Sequence, residues 1–394
     1  MSLAVSQRVQ RVKPSPTLTV SALAAELRAQ GRDVIGLGAG EPDFDTPDHI
    51  KAAAIEAIRN GATKYTNVDG TPALKAAIAD KFKRDNNLTY APDQIIVSSG
   101  AKQTCYNVCS AVLNPGDEAI IPAPYWVSYP DMVKLADGEP VIVAATLEDD
   151  FKITPRALAA AITDRTRLMF LNSPSNPTGA AYTRAELAAL GEVLLDHPGI
   201  VVATDDMYEH IYWADEPFTS LVDACPGLYD QTVTINGVSK CYAMTGWRIG
   251  YCGGPVEIIK AMKKIQGQST SNPCSISQAA SVAALSGDQS CIATMTTAFH
   301  DRHDYVVAAL NEINGFECAP GAGTFYAFPK VTDAIAAKGM ADDAELCAML
   351  LNEAEVALVP GSAFGAPGYL RLSFATGMDT LKDAIGRIER AMAA

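Results

Sequence analysis

The sequence predicts an α/β protein with a large domain, in which a mostly parallel central sheet lies between helices, and a smaller α/β domain contributed by both termini. Three observations carry this reading. From Gln94 to Gly254 short β-branched runs alternate with helical stretches, the pattern of parallel strands joined by helical crossovers. Towards the C-terminus the texture changes to shorter strands and helices. A chain of 394 residues with 48% hydrophobic and 19% charged residues is long and apolar enough to build two buried cores. The expected layout is an N-terminal arm at 1–12, part of the small domain at 13–47, the large domain at 48–285 and the rest of the small domain at 286–394.

The elements follow in order. Ile95-Ile96-Val97 reads as a strand before a helix starting near Lys102, and Glu118 to Ile121 as a strand before a helix beyond Trp126. Thr154-Pro155 opens a helix with proline at its first position. Leu168 to Leu171 and Ile200 to Ala203 are two further strands. The helix between them begins with a capping box, Thr183 followed by Glu186. Thr232 to Ile235 is another short apolar run. Near the C-terminus, Phe316-Glu317-Cys318, Phe325 to Phe328, Val356 to Val359 and Leu370 to Leu372 read as short strands, with helices near 342–353 and 377–392.

Composition excludes several classes. A net charge of −14 argues against nucleic acid as a partner. The nine cysteines are scattered and lack any Cys-x-x-Cys pair, which fits reduced thiols in a cytoplasmic protein. Neither a signal peptide nor a run of transmembrane length is expected. Gly36-Leu37-Gly38-Ala39-Gly40-Glu41 imitates a dinucleotide fingerprint, but Glu41 stands where the third glycine belongs. His300 and His303 have a metal-like spacing without an evident acidic third ligand, so they are read as a solvated helix face and no metal is expected.

The chemistry-bearing segment is Ser239-Lys240 to Tyr251. It puts a lysine after an apolar strand and an arginine, Arg248, eight residues further on. Burial lowers a lysine's pKa and frees the amine for Schiff-base chemistry, and a guanidinium fork suits a phosphate dianion. Pyridoxal phosphate requires both an amine for its aldehyde and an anchor for its phosphate. Ser99-Gly100-Ala101-Lys102 joins a strand to a helix, whose first free N–H groups bind phosphate.

The segment resembles the Ser-Lys-x7-Arg signature of fold-type I pyridoxal-phosphate enzymes, specifically class I aminotransferases. Further blocks of that family occur in family order: Gly38 to Phe44, Pro124-Tyr125-Trp126, Asn172 to Gly179, Thr204 to Tyr208, and Tyr369 to Ser373. The resemblance spans the chain from about residue 10 to its end. It implies that Lys240 is the Schiff-base lysine and general acid–base. It implies too that Asp205, selected over Asp206 by the spacing to Tyr208, pairs with the pyridine nitrogen, while Tyr208 and Asn176 address the cofactor's phenolate oxygen. Trp126 is expected to stack on the ring. Gly100, Ala101, Lys102 and Arg248 are expected to hold the phosphate, joined by Tyr65 of a neighbouring subunit in a homodimer with sites at the interface. Gly40, Asn176 and Arg371 are expected at the substrate α-carboxylate. Pro174 and Pro177 are expected to act structurally, with cis bonds in view, and Asp206 to be a helix-start or rim acid.

Within the family the chain resembles the bacterial subgroup carrying Lys-Pro-Ser-x-Thr near the N-terminus, here Lys13 to Thr17, and a lysine after the phosphate loop, Lys102. That resemblance implies that Lys102 and Thr17 meet a distal carboxylate. The implied reaction is ping-pong transamination between aspartate or glutamate and oxaloacetate or 2-oxoglutarate, with prephenate to arogenate as a further branch. A C–S β-lyase or a broader aromatic aminotransferase on the same fold stays open, with a non-enzymatic pyridoxal-phosphate module ranked behind both.

Overall fold

A computed structural model describes residues 4–393; positions 1–3 of the expected N-terminal arm lie outside the described residues. β1 (Ile35–Gly36) comes first, followed by the seven strands of the main sheet: β2 (Ile95–Ser98), β3 (Glu118–Ala123), β4 (Glu139–Ala144), β5 (Thr166–Asn172), β6 (Val201–Asp205), β7 (Thr232–Gly237) and β8 (Gly250–Gly253). Their order across the sheet is β2-β8-β7-β6-β5-β3-β4. Only β8 runs against the rest, pairing antiparallel with both β2 and β7. The expectation of a mostly parallel sheet between helices is met.

Alternation along the strands explains the two helical layers. Ala119 and Ile121 of β3, with Leu168 and Phe170 of β5, pack in the same core as Cys105, Val108 and Cys109 of helix Ala101–Val112. The intervening Ile120, Met169 and Leu171 pack with Leu187, Leu190 and Leu194 of helix Arg184–Leu195. Side chains of period two thus feed both faces, and a strand buried on both faces reads as an unbroken apolar run. The Thr183/Glu186 capping box forms as expected.

A second layer is built from β9 (Tyr326–Ala327), β10 (Val356–Ala357), β11 (Val359–Pro360) and β12 (Leu370–Ser373). β11, β12 and β9 form one antiparallel sheet, and β10 pairs in parallel with β1. The expected strand at 316–318 is only a bridge between Glu317 and Lys330. The 22-residue helix Ser290–Asn311 joins the layers, burying Phe299, Val306 and Leu310 in the same core as Leu370 and Leu372.

Behind the carboxyl ends of β6 and β7 lies a buried polar cluster. Lys81 pairs with Glu209 and donates to Asn86 Oδ1 at 2.6 Å; Asn86 Nδ2 and Asn236 Nδ2 donate to Glu209 at 2.6 and 2.9 Å. Removing one partner of a buried, hydrogen-bonded ion pair strands the other charge. Glu209→Ala is therefore expected to cost about 3 kcal/mol of stability, read as a lowered denaturation midpoint with an unchanged slope in a urea titration.

Candidate active site

The candidate residues gather where the parallel strands end, the usual place for a ligand in an open α/β sheet. β5 ends at Asn172, opposite Asp205 at the end of β6. Asn172 Nδ2 donates to the Asp205 carbonyl at 2.7 Å, and its Oδ1 accepts the Asn176 N–H at 2.8 Å. β7 ends at Gly237 and delivers Ser239 and Lys240, and β2 leads through Gly100 into helix Ala101–Val112. The second layer adds Tyr326 and Arg371, and β1 leads into Gly38-Ala39-Gly40. Together they line a cleft of about 570 Å³, within the usual range for small-molecule sites.

Of the residues expected from sequence, Thr17, Gly40, Ala101, Lys102, Trp126, Asn176, Asp205, Tyr208, Lys240, Arg248 and Arg371 all line this cleft. Tyr65 does not; it is 91% exposed on a loop.

Lys240 donates to the Gly40 carbonyl. Burial, reinforced by the nearby Arg371 cation, lowers its pKa to about 8. Asp205 is 7% exposed; its Oδ2 accepts the Tyr129 hydroxyl at 2.6 Å and its Oδ1 the Met207 N–H at 3.3 Å. Burial raises the Asp205 pKa, against the lowering effect of those donors and of Lys240. Asp206, expected at a rim, is 3% exposed with one carboxylate oxygen unpartnered. Burial and the neighbouring Glu209 push its pKa well up.

Arg371, only 2% exposed, donates to Asn176 Oδ1 at 2.9 Å and to the Gly38 carbonyl at 2.7 Å, while its Nε has no partner. Burial lowers its pKa without a carboxylate at hand. The arrangement presents a desolvated cation with donor capacity to spare, which suits a carboxylate.

The helix after β2 forms a tight cup. Gly100 has φ +85°, a conformation glycine adopts freely, and a Cβ there would run into the Arg248 guanidinium. Gly250 faces the backbone of Gly100 and Ala101 so closely that a Cβ would displace the helix start. One expectation is corrected: the Gly100 N–H donates to the Ser98 carbonyl at 2.8 Å, leaving Ala101 and Lys102 to offer free N–H groups. Lys102 Nζ lies 4.9 Å from the centroid of the Trp126 ring.

Two further expectations change. His303 is 3% exposed rather than solvated; its Nε2 accepts the Gly321 N–H at 2.9 Å and its Nδ1 meets Asp304 Oδ1 at 2.9 Å. The acidic neighbour missing from the sequence reading therefore exists, but both ring nitrogens are engaged. Of the two prolines, Ser173–Pro174 is a cis bond and Asn176–Pro177 is not, while Ala123–Pro124 is also cis. Sequence reasoning missed Tyr129, Tyr326 and Asn172 as site residues, and quoted Ser239 without assigning it a role. Only Ser239 and Asn172 lay inside recognisable motifs.

A depressed lysine pKa makes the neutral amine available sooner as pH rises. Modification of Lys240 in the ligand-free protein by trinitrobenzenesulfonate, followed by peptide mapping, is expected to rise about tenfold from pH 7 to 9 and level off, whereas surface lysines rise about a hundredfold and continue.

Residues 32–388 match the family described as aminotransferase class I and II. The chain is 57% identical over 390 residues to an aspartate/prephenate aminotransferase of Nitrosomonas europaea, covering 98% of each. Its fold is similar to a crystal structure of the aspartate aminotransferase of Rhizobium meliloti, with TM-score 0.96, 49% identity, and coverage of 100% of this chain and 99% of that one. It is also similar to the Thermus thermophilus aspartate aminotransferase solved with maleate, with TM-score 0.93, 41% identity, and coverage of 99% and 100%. A lysine with a lowered pKa, a buried carboxylate and a desolvated arginine share one cleft, and over residues 32–388 this chain belongs to the class I and II aminotransferases.

Proposed function

We propose that the protein is a pyridoxal-phosphate-dependent aminotransferase that exchanges the amino group of aspartate or glutamate with a 2-oxo acid, and that prephenate is a further acceptor. The observation that carries the reading is the convergence of Lys240, Asp205 and Arg371 on one cleft. The residues present fit the cofactor. Ala101, Lys102, Ser239 and Arg248 line the end of the cleft that suits a phosphate, beside Gly100 and Gly250, where an added Cβ would collide with the Arg248 guanidinium or the helix start. Trp126 suits the face of an aromatic ring and Asp205 its protonated nitrogen, and Asn176 and Tyr208 suit its phenolate oxygen. Pyridoxal phosphate, when bound, supplies an aldehyde for amine exchange and a ring that withdraws electrons from the substrate's Cα.

The chain's own residues do the rest. Arg371 holds the substrate α-carboxylate with its unspent donor capacity, and Asn176, already fixed on Arg371, sets the approach. Lys240 takes up the proton at the substrate Cα, a task suited to an amine titrating near neutrality. Asp205 keeps its charge opposite a cation, with Tyr129 orienting it.

Thr17 and Lys102 line the same cleft as Arg371, so a substrate with two carboxylates can meet a cation at each. The Thermus relative was solved with maleate, itself a dicarboxylate, and relatives at 57% identity are named aspartate/prephenate aminotransferases. We further propose a homodimer, with the layout of large and small domains expected from sequence, in which Tyr65 of one subunit meets the phosphate cup of the other. The 91% exposure of Tyr65 supports this reading, since it leaves the side chain available to a partner subunit.

The direct test adds L-aspartate, L-glutamate and L-arogenate separately to the cofactor-loaded protein, with no acceptor. Conversion of the cofactor's visible band to the pyridoxamine form is expected with all three; no response from aspartate or glutamate overturns the acidic-substrate reading. Lys102→Ala is expected to raise KM for dicarboxylic substrates at least tenfold while leaving alanine and phenylalanine within about twofold. Arg371→Ala is expected to lower kcat/KM for all of them by about 3–5 kcal/mol.

A further inference from the structure

Tyr326 belongs to none of the motifs that mark this site, yet it touches three of the groups that build it. Its hydroxyl lies 3.0 Å from the Tyr208 hydroxyl. The Arg371 guanidinium carbon lies 4.4 Å from the centroid of its ring. Its oxygen is also so close to the Gly38–Gly40 segment that a Cβ on Gly40 would stand 2.7 Å from it. Tyr326 is 1% exposed and lies in the run Phe325-Tyr326-Ala327-Phe328. Its ring meets Phe325 at 4.8 Å and Tyr208 at 5.9 Å. A phenylalanine would satisfy the packing, whereas a buried hydroxyl is tolerated only with a partner. The one partner among the described residues is Tyr208.

The direction of that hydrogen bond follows from what flanks each phenol. Both rings face a cation, but the Arg371 guanidinium lies 4.4 Å from the Tyr326 centroid and the Lys240 amine 5.8 Å from that of Tyr208; the closer cation makes Tyr326 the more acidic phenol, hence the better donor. A Tyr208 oxygen that accepts from Tyr326 has its own proton turned away, towards the cleft that both residues line. Accepting a hydrogen bond also strengthens Tyr208 as a donor, because linked hydroxyls polarise one another.

We propose that Tyr326 is a positioning residue that donates to Tyr208, commits the single Tyr208 proton to the oxyanion of the bound cofactor, and supports Arg371 through its ring face. The inference rests on the cofactor reading given above. It divides Tyr326 into two separable parts: the hydroxyl acts through Tyr208 on the cofactor's protonation, and the ring acts through Arg371 on the carboxylate.

The test compares Tyr326→Phe and Tyr326→Leu in the cofactor-loaded enzyme. The first readout is the pH midpoint of the visible absorption change of the resting enzyme, which a purely structural tyrosine would not move. Tyr326→Phe is expected to raise that midpoint by about half a pH unit and to lower kcat about fivefold, with KM for aspartate changed less than about threefold. Tyr326→Leu, which also removes the ring, is expected to raise KM for aspartate about tenfold or more. In a Tyr208→Phe background, Tyr326→Phe is expected to leave the midpoint where the single variant put it, since the two hydroxyls act in series. A wild-type midpoint retained in Tyr326→Phe, or an equal shift in both backgrounds, overturns the inference while leaving the cofactor reading intact. A wild-type protein that takes up pyridoxal phosphate without forming any visible band at Lys240 overturns both.

Discussion

The buried guanidinium of Arg371 is the contact on which the arrangement of this molecule turns. It rises from β12 in the second layer, donates to Asn176 on the loop beyond β5, and donates to the carbonyl of Gly38 on the segment beyond β1. Three parts of the chain separated by hundreds of residues are thereby held by one cation. A charge taken out of water with neutral partners alone is costly. A carboxylate placed at Arg371 would offset that cost.

The same economy governs the central sheet. Parallel strands put their carboxyl ends on a common edge, and the register between β5 and β6 sets Asn172 beside Asp205. Behind that edge, the Lys81–Glu209 pair with Asn86 and Asn236 forms a satisfied polar base. Such a base resists rearrangement, because moving one member leaves the others unpaired. The reactive groups in front can then be kept in states that ordinary solvent would not tolerate, a lysine with a lowered pKa and a carboxylate with a raised one.

Much of this was legible in the sequence, for reasons that also explain what was not. Lys240, Asp205 and Asn176 lie at or just beyond strand ends, where loops carry function, and Arg371 is a lone charge inside the apolar run Leu370 to Leu372. The parallel sheet was legible because strands buried on both faces leave uninterrupted apolar runs. Tyr326 was hidden for the same reason: within Phe325 to Phe328 a tyrosine looks like core, and only the fold brings its hydroxyl to Tyr208. Tyr129 likewise gains its meaning from Asp205, 76 positions away. Asp206 and His303 were read as surface residues, since sequence gives polarity but not depth. Gly100 looked like a donor until the turn showed its N–H already spent on Ser98.

The lone reversed strand has a consequence for how the family signature can vary. β7 leaves the sheet at Gly237 and β8 re-enters it at Gly250, and these two residues are register partners. The segment carrying Lys240 and Arg248 is therefore a closed loop with both feet on one rung of the ladder. Its length is quantised by the ladder: a residue added or lost must bulge the loop or slip β8 by a rung, exchanging the faces of its side chains and lifting Gly250 from the start of the helix it supports. The interval between the amine and the guanidinium is thus a ruler cut by the sheet, and it can be recut only by rebuilding the edge of the fold.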